Sequence, residues 1–266
     1  MSLPLAIDLC CGLGGWTDGL LAEGWDVVGF DVERHQYSSH QYPAQLVLQD
    51  ILTLDGRQFR GKASLIVASP PCQKYSYMAM PWKRSKALIA WYRDPAYPER
   101  IVELNALFNA CFRIAKEAEC PIVLENVRGI QPWVGRAPWH FGSYYLFGDV
   151  PALMPFTHKA VKVAGMDWSK YGEPDYKATK NNGGSWFAVA NNTTSGHSRN
   201  PVHDGVKQRG DWFGDGRLGV GMSALSGRSP ARKAASARIA KIPYPLASWI
   251  AQVFYPKDFG PTPGRA

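Results

Sequence analysis

No Cys-x-x-Cys pair occurs in this 266-residue chain, and its cysteines, Cys10, Cys11, Cys72, Cys111 and Cys120, are odd in number. Both facts count against a disulfide framework and against a structural zinc site. The thiols are therefore expected reduced, inside a cell, and no metal is expected. No apolar run approaches the roughly 20 residues of a membrane span. No basic-then-apolar leader opens "MSLPLAIDLCCG", so a cytoplasmic protein with no membrane partner is expected. Internal repeats are absent. Acids are the scarcer charge, 22 against 30 Lys and Arg, for a net charge of +8. That surplus suits a polyanionic partner, because Lys and Arg neutralise phosphates and release counterions. With 45% apolar and 20% charged residues, a disordered or fibrous chain is excluded.

What is present is an alternation. Short apolar runs, "LPLAIDL", "WDVVGFDV", "AQLVLQDI", "ASLIVAS" and "PIVLENV", read as five strands. A helix is expected from Trp16 to Ala22. Another is expected from Glu99 to Glu119, where Ile101, Leu104, Phe108, Cys111, Phe112 and Ala115 recur at helical spacing. Continuous apolar strands between helices imply a parallel sheet covered on both faces, the doubly wound α/β class. The reading is an α/β domain over residues 1–150, a small irregular region over 151–228, and a segment, 229–266, that returns to the first domain. The irregular region is rich in Asn, Gly, Ser and Thr, with "SWFAVA" as a strand inside it. In "ARKAASARIAKIPYPLASWIAQVF" two helices are expected, broken by Pro243 and Pro245.

Three stretches carry chemistry. In "AIDLCCGLGGW", Gly12, Gly14 and Gly15 let the backbone turn sharply between strand and helix and approach a ligand. Asp31 ends the next strand, where an acid can bond a ribose hydroxyl. Asp50 closes the third and Asp8 lies in the first. The string lacks the third glycine of G-x-G-x-x-G, which discourages a nicotinamide enzyme. A tight turn without ligand fits the same glycines, and a helix cap fits Asp50. In "LIVASPPCQKYS", a strand runs into Pro70-Pro71 and places Cys72 on the loop that follows. The prolines restrict the backbone and fix the thiol's direction. Cys111 and Cys120 read instead as small buried apolar residues. In "VLENV", Glu125 ends the fifth strand and can face the same cleft as Cys72, or act as a capping or salt-bridged acid.

"DLCCGLGG", "GFDVE", "QDI", "SPPCQKYS" and "LENVRG" stand in the order found in the S-adenosylmethionine-dependent DNA cytosine-5 methyltransferases, which this chain resembles over roughly residues 3 to 130. "IAKIPYPLASWIA" looks like a weakened form of that family's last motif. The small basic chain looks most like phage- or prophage-borne members. The resemblance implies a Rossmann-like methyltransferase sheet with a small target-recognition region. It implies a cytosine flipped from the duplex, Cys72 after Pro71 as the nucleophile, and protonated Glu125 on N3 and the exocyclic amine. Asn126 would orient the loop carrying the acid. Gly12, Gly14, Gly15, Asp31, Asp50 and Ile51 would hold the cofactor, with Asp8, Cys10 and Val32 in the same rim. The family's usual aromatic in the first loop is replaced here by Cys10. The usual arginine pair is not evident, since "GSYYLFGDVP" holds no Arg or Lys; Arg136 in "WVGRAPW" and Arg128 beside "LENV" are candidates to replace it. The Gly-Asn pair of the last motif is absent.

Nucleic-acid contacts are expected from Gln73 and Ser76 beside the cysteine, and from residues 80 to 100. There Lys83, Arg84, Lys86 and Arg93 alternate with Trp82, Trp91 and Tyr92 for phosphates and bases. A solvated amphipathic helix fits that stretch as well. Donors between Asn181 and Arg228 suit base edges or a surface lid. Double-stranded DNA is the expected partner of a monomer associated with the nucleoid. An RNA cytosine-5 methyltransferase and a DNA-binding regulator weakened in catalysis are the alternatives.

Overall fold

The computed structural model describes residues 3–36, 41–75, 82–142, 144–151 and 240–259. Ser76, Met80, the "SWFAVA" segment and nearly all of the expected recognition region lie outside the described residues. Seven strands form one sheet in the order β3-β2-β1-β4-β5-β7-β6. They are β1 (Leu5–Leu9), β2 (Asp26–Asp31), β3 (Gln45–Leu48), β4 (Ala63–Ala68), β5 (Ile122–Asn126), β6 (Trp139–Phe141) and β7 (Tyr144–Gly148). The first five are parallel. β7 runs antiparallel to both β5 and β6.

The five parallel strands match the apolar runs because both sheet faces are covered, which removes the need for alternation. One face carries Ile7, Leu9, Ile66, Ala68 and Leu124 against Cys111, Ile114 and Ala115. These last three belong to α4 (Ala106–Ala118). The other face carries Ala6, Leu65, Val67 and Val123 against Trp16 and Leu20 of α1 (Gly15–Ala22). Each fully buried Leu or Ile contributes about 1.5–3 kcal/mol.

The chain returns to this second face at its end. The helix α6 (Tyr244–Phe254) packs on α1 through Leu246, Ala247, Ile250 and Ala251. The contact needs glycines: a Cβ on Gly15 would overlap the Ile242 backbone nitrogen, and one on Gly19 would meet Ala247 at 2.5 Å. Polar ties flank it. Trp25 Nε1 donates to Ala251 O at 3.1 Å, and Glu23 accepts from Ser248 and Gln252.

Three expectations need correction, and one element was missed. The helix expected from Glu99 to Glu119 is two, α3 (Glu99–Leu104) and α4, because Asn105 leaves helical geometry at φ −93, ψ 4. Its side-chain amide donates across to Trp133 O at 3.2 Å, while its backbone amide still donates to Ile101 O. Pro245 does not break a helix: it lies in the first turn of α6, where its missing N–H has no intrahelical partner to lose. The β6–β7 hairpin is missing from the sequence reading, although Gly142-Ser143, a usual two-residue turn pair, stands between its strands. Residues 82–92 form a helix, α2 (Trp82–Tyr92), on which Tyr92 is a core residue and cannot stack on a base.

Candidate active site at the carboxyl edge of the sheet

Strand order reverses between β1 and β4: β2 follows β1 on one side, and β4 lies on the other. A crevice at such a switch point is where doubly wound sheets take ligands. The glycine loop after β1 and the cysteine loop after β4 both open there.

The glycine loop is tied to the neighbouring strand end. Gly12 N donates to Asp31 Oδ2 at 3.0 Å, and Cys11 N to Phe30 O at 3.2 Å. Cys10 takes φ 53, a left-handed conformation unusual for a side-chain-bearing residue. Nothing stands within 4 Å of where a Cβ on Gly12 would be, so the loop faces open space there. Gly14, at φ 75, is instead closed over by Pro43, 2.5 Å from its would-be Cβ. Burial works against ionisation of Asp31, but bonds from His35 and from the Gly12 and Glu33 amides outweigh it. They hold the carboxyl below its usual range. His35 stands 3.5 Å from Asp31 Oδ1, and that bond raises the imidazole in turn. Val32 beside it is exposed.

Asp50 accepts from Leu52 N at 2.9 Å through Oδ1, a turn that sets Ile51 inward and Leu52 outward. Asp8 lies deeper than the sequence reading placed it. It is fully buried beneath the glycine loop, with Oδ2 accepting from Thr17 Oγ1 at 2.7 Å. Thr17 also bonds Tyr42. Burial pushes the Asp8 carboxyl well up. Gly15 serves the packing against Ile242.

The cysteine loop is pinned at both ends. Ser69 N donates to Leu9 O at 3.1 Å, and Tyr75 N to Cys72 O at 3.0 Å. Tyr75 is itself buried, its hydroxyl 2.6 Å from Leu104 O. Pro70 is buried, Pro71 exposed, and Cys72 half-buried, with Gln73 exposed beside it. Asn126 Nδ2 donates to Pro70 O at 3.0 Å. Asn126 therefore steadies the loop that carries the thiol, whereas the sequence reading gave it to the loop of the acid. Pro70 needs no strand partner for a nitrogen without hydrogen, and its carbonyl is left as the handle by which the next strand holds the loop.

Glu125 is 9% exposed. Burial pushes its carboxyl up to about 8, moderated by a hydrogen bond from Ser69. Tyr144 on β7 is buried, its hydroxyl 3.2 Å from Lys241 O. Burial first, then the charges of Glu125 and Cys72, raise that phenol far above its ordinary value. Glu125 and Cys72 are thus both within electrostatic reach of one phenol. Ser69, Trp16, Tyr144, Thr17, Tyr42 and His35 were not singled out in the sequence. Strand pairing and helix docking bring most of them here, and His35 lies four residues from Asp31. Arg128 and Arg136 are exposed beyond β5, and Lys83 and Arg84 are exposed on α2. Among the described residues no group of three or more His, Cys, Asp and Glu can hold a metal. Among them, no helix is long and apolar enough to cross a membrane.

A sheet of this order, with a glycine loop after β1 and a cysteine and a buried acid after β4 and β5, is of the Rossmann-like methyltransferase class. Residues 5–132, just under half the chain, match the family model of C-5 cytosine-specific DNA methylases. The family implies S-adenosylmethionine as cofactor. No curated protein matches the chain. Among solved structures, the chain is similar to a protein assigned as a DNA modification methyltransferase encoded within an E. coli prophage. The identity is 25%, over 48% of this chain and 33% of that one, with TM-score 0.33. It is also similar to a methyltransferase of Entamoeba histolytica, at 16% identity over 50% and 41% of the two chains, TM-score 0.31. A third is a magnesium protoporphyrin IX methyltransferase of Synechocystis with bound S-adenosylmethionine, at 16% identity over 47% and 49%, TM-score 0.24.

Proposed function

We propose that the protein transfers a methyl group from S-adenosylmethionine to C5 of cytosine in double-stranded DNA, as a compact prophage-type enzyme. The observation that carries this is the buried Glu125, a carboxyl kept neutral to about pH 8 beside the pinned loop of Cys72. A neutral acid can donate to a ring nitrogen, and an ionised one cannot.

The residues at the β1–β2–β3 end fit the cofactor. Gly12 leaves open space above the loop, Asp31 offers an ionised carboxylate for hydroxyls, and Ile51 with exposed Val32 offers apolar surface. When bound, S-adenosylmethionine supplies a methyl group activated by its sulfonium. At the other end, Cys72 Sγ, as thiolate, bonds C6 of a flipped cytosine, and Glu125 donates at N3 to take up the electron density. This leaves C5 electron-rich. After C5 has been methylated, its proton leaves to a base, the Sγ–C6 bond breaks, and N3 returns its proton to Glu125. Gln73, Ser76, Lys83, Arg84, Arg128 and Arg136 are the residues proposed to meet DNA.

The test is a set of duplexes carrying 5-fluorocytosine in many sequence contexts, incubated with protein and S-adenosylmethionine. Fluorine at C5 cannot leave as a proton does, so a denaturation-resistant adduct mapping to Cys72 is expected. No adduct on DNA, with S-adenosylmethionine still bound, overturns the reading. An adduct on matched RNA would then move the substrate to RNA, and none on either would leave a binding module.

A further inference from the structure

Glu125 is the proposed acid, but nothing in the family motif says what aims it. The register Ala68↔Leu124 of β4 and β5 sets the next pair, Ser69 and Glu125, side by side at the strand ends. Side chains of the preceding pair on the same face, Val67 and Val123, pack against Trp16. Trp16, 1% exposed, donates its indole N–H to Ser69 Oγ at 3.0 Å. An indole nitrogen only donates. It therefore occupies a lone pair of the Ser69 oxygen and leaves the one hydroxyl hydrogen to point elsewhere. Beside it stands the Glu125 carboxyl, an acceptor.

We propose that Ser69, oriented by Trp16, is a positioning residue that fixes the Glu125 carboxyl for the reaction. The chain of donors runs one way, from Trp16 through Ser69 to Glu125. With one carboxyl oxygen engaged as acceptor, the acid's own proton belongs on the other oxygen, the one that has to meet the base. Trp16 directly follows Gly14-Gly15, so one hydrogen bond joins the end of the glycine loop to the residue paired beside the acid. The catalytic consequence rests on the proposed methyl transfer, but the Trp16–Ser69 bond and the strand register do not. The other titratable groups nearby are Tyr144 on β7, which Glu125 and Cys72 both influence electrostatically, and Cys72 itself. The phenol is held far above neutrality.

The experiment follows the Glu125 carboxyl directly. Full-length protein with glutamate labelled at the carboxyl carbon is titrated by NMR, and the Glu125 signal is assigned by its absence in Glu125→Gln. Loss of a donor that favours the ionised form should raise the midpoint. About one pH unit is expected for Ser69→Ala, less for Trp16→Phe, and little change for Ser69→Thr, which keeps a hydroxyl. The high-pH limb of adduct formation should move with the midpoint. An unchanged midpoint in folded Ser69→Ala overturns the proposal. If that variant does not fold, Trp16→Phe decides: a raised midpoint supports the proposal, and an unchanged one overturns it. A shifted midpoint in a protein that forms no adduct would keep the positioning role and remove the methyl-transfer reading.

Discussion

Asp31 and Glu125 end parallel strands of the same sheet, on opposite sides of its switch point, and they hold opposite protonation states. Both are penalised for charge by burial. Asp31 meets three backbone amides, from Gly12, Val32 and Glu33, and the His35 ring, and stays ionised below the usual range. Glu125 receives one hydroxyl and is pushed up to about 8. Donor count thus decides between a carboxylate that can hold hydroxyls and an acid that can protonate a ring. In the proposed reaction this difference separates the cofactor end of the cleft from the chemical end.

The largest expected effect lies at the chemical end. Cys72→Ser should abolish the 5-fluorocytosine adduct while the S-adenosylmethionine dissociation constant, measured by calorimetry, stays near that of the parent. Loss of cofactor binding in a folded variant would break the separation between the two ends.

Next is Glu125→Gln, which keeps the shape but cannot release or regain a proton. A drop of about 10²–10⁴ in transfer rate is expected. In the parent, transfer should fall as pH rises through about 8, where the acid ionises. Stability carries the same sign. The folded state holds a proton that the unfolded chain loses near the ordinary carboxylate value. Stability should therefore fall as pH rises from there to about 8, by about 1.4 kcal/mol per unit for this group. Asp8, also raised by burial, adds to the slope. Denaturant titrations should show a flatter slope in Glu125→Gln. An equal slope would mean Glu125 is ionised in the folded protein, like Asp31.

This contrast was only half legible in the sequence. The strands were readable because covered parallel strands are uniformly apolar, and the positions of Asp31, Cys72 and Glu125 followed from where those strands end. Which acid keeps its proton was not readable from the fold pattern. It depends on Ser69, Trp16 and the Gly12 amide, which lie far from their partners in sequence and meet through pairing and packing, and on His35, four residues from Asp31, which no motif marks. Asn126 illustrates the same limit: its place next to Glu125 pointed to the acid's loop, yet the parallel pairing of β4 and β5 gives its amide to Pro70. The α3–α4 break escaped because Asn105 sits inside an intact helical period and turns out of it for contacts with Tyr75 and Trp133.

At the cofactor end the effects should be smaller. Asp31→Ala is expected to weaken S-adenosylmethionine binding by about 1–2 kcal/mol, the scale of a charge-assisted hydrogen bond. Adduct formation at saturating cofactor should change far less. An unchanged dissociation constant would remove Asp31 from the site and leave it as the anchor of Gly12.

The smallest effect tests whether the cofactor end is held from behind. Arg113 on α4 reaches across to the turn that carries Asp50 and Ile51. It donates through Nη2 to Ile51 O at 3.0 Å and Leu52 O at 3.3 Å, and through Nη1 to Leu54 O at 2.9 Å. Glu117 holds Arg113 at 3.0 Å and accepts from Gly56 N at 2.8 Å, closing the clamp. Arg113 touches neither end of the cleft's chemistry, so Arg113→Ala should act through the turn alone. Loosening that turn is expected to cost about 1 kcal/mol, a several-fold rise in the S-adenosylmethionine dissociation constant, with the Glu125 midpoint unmoved. Arg113→Lys should recover part of the loss, since an ammonium can still bond one or two of the carbonyls. An equal loss at both ends would mean that the clamp supports the whole sheet edge, and the two acids would then differ in environment but not in independence.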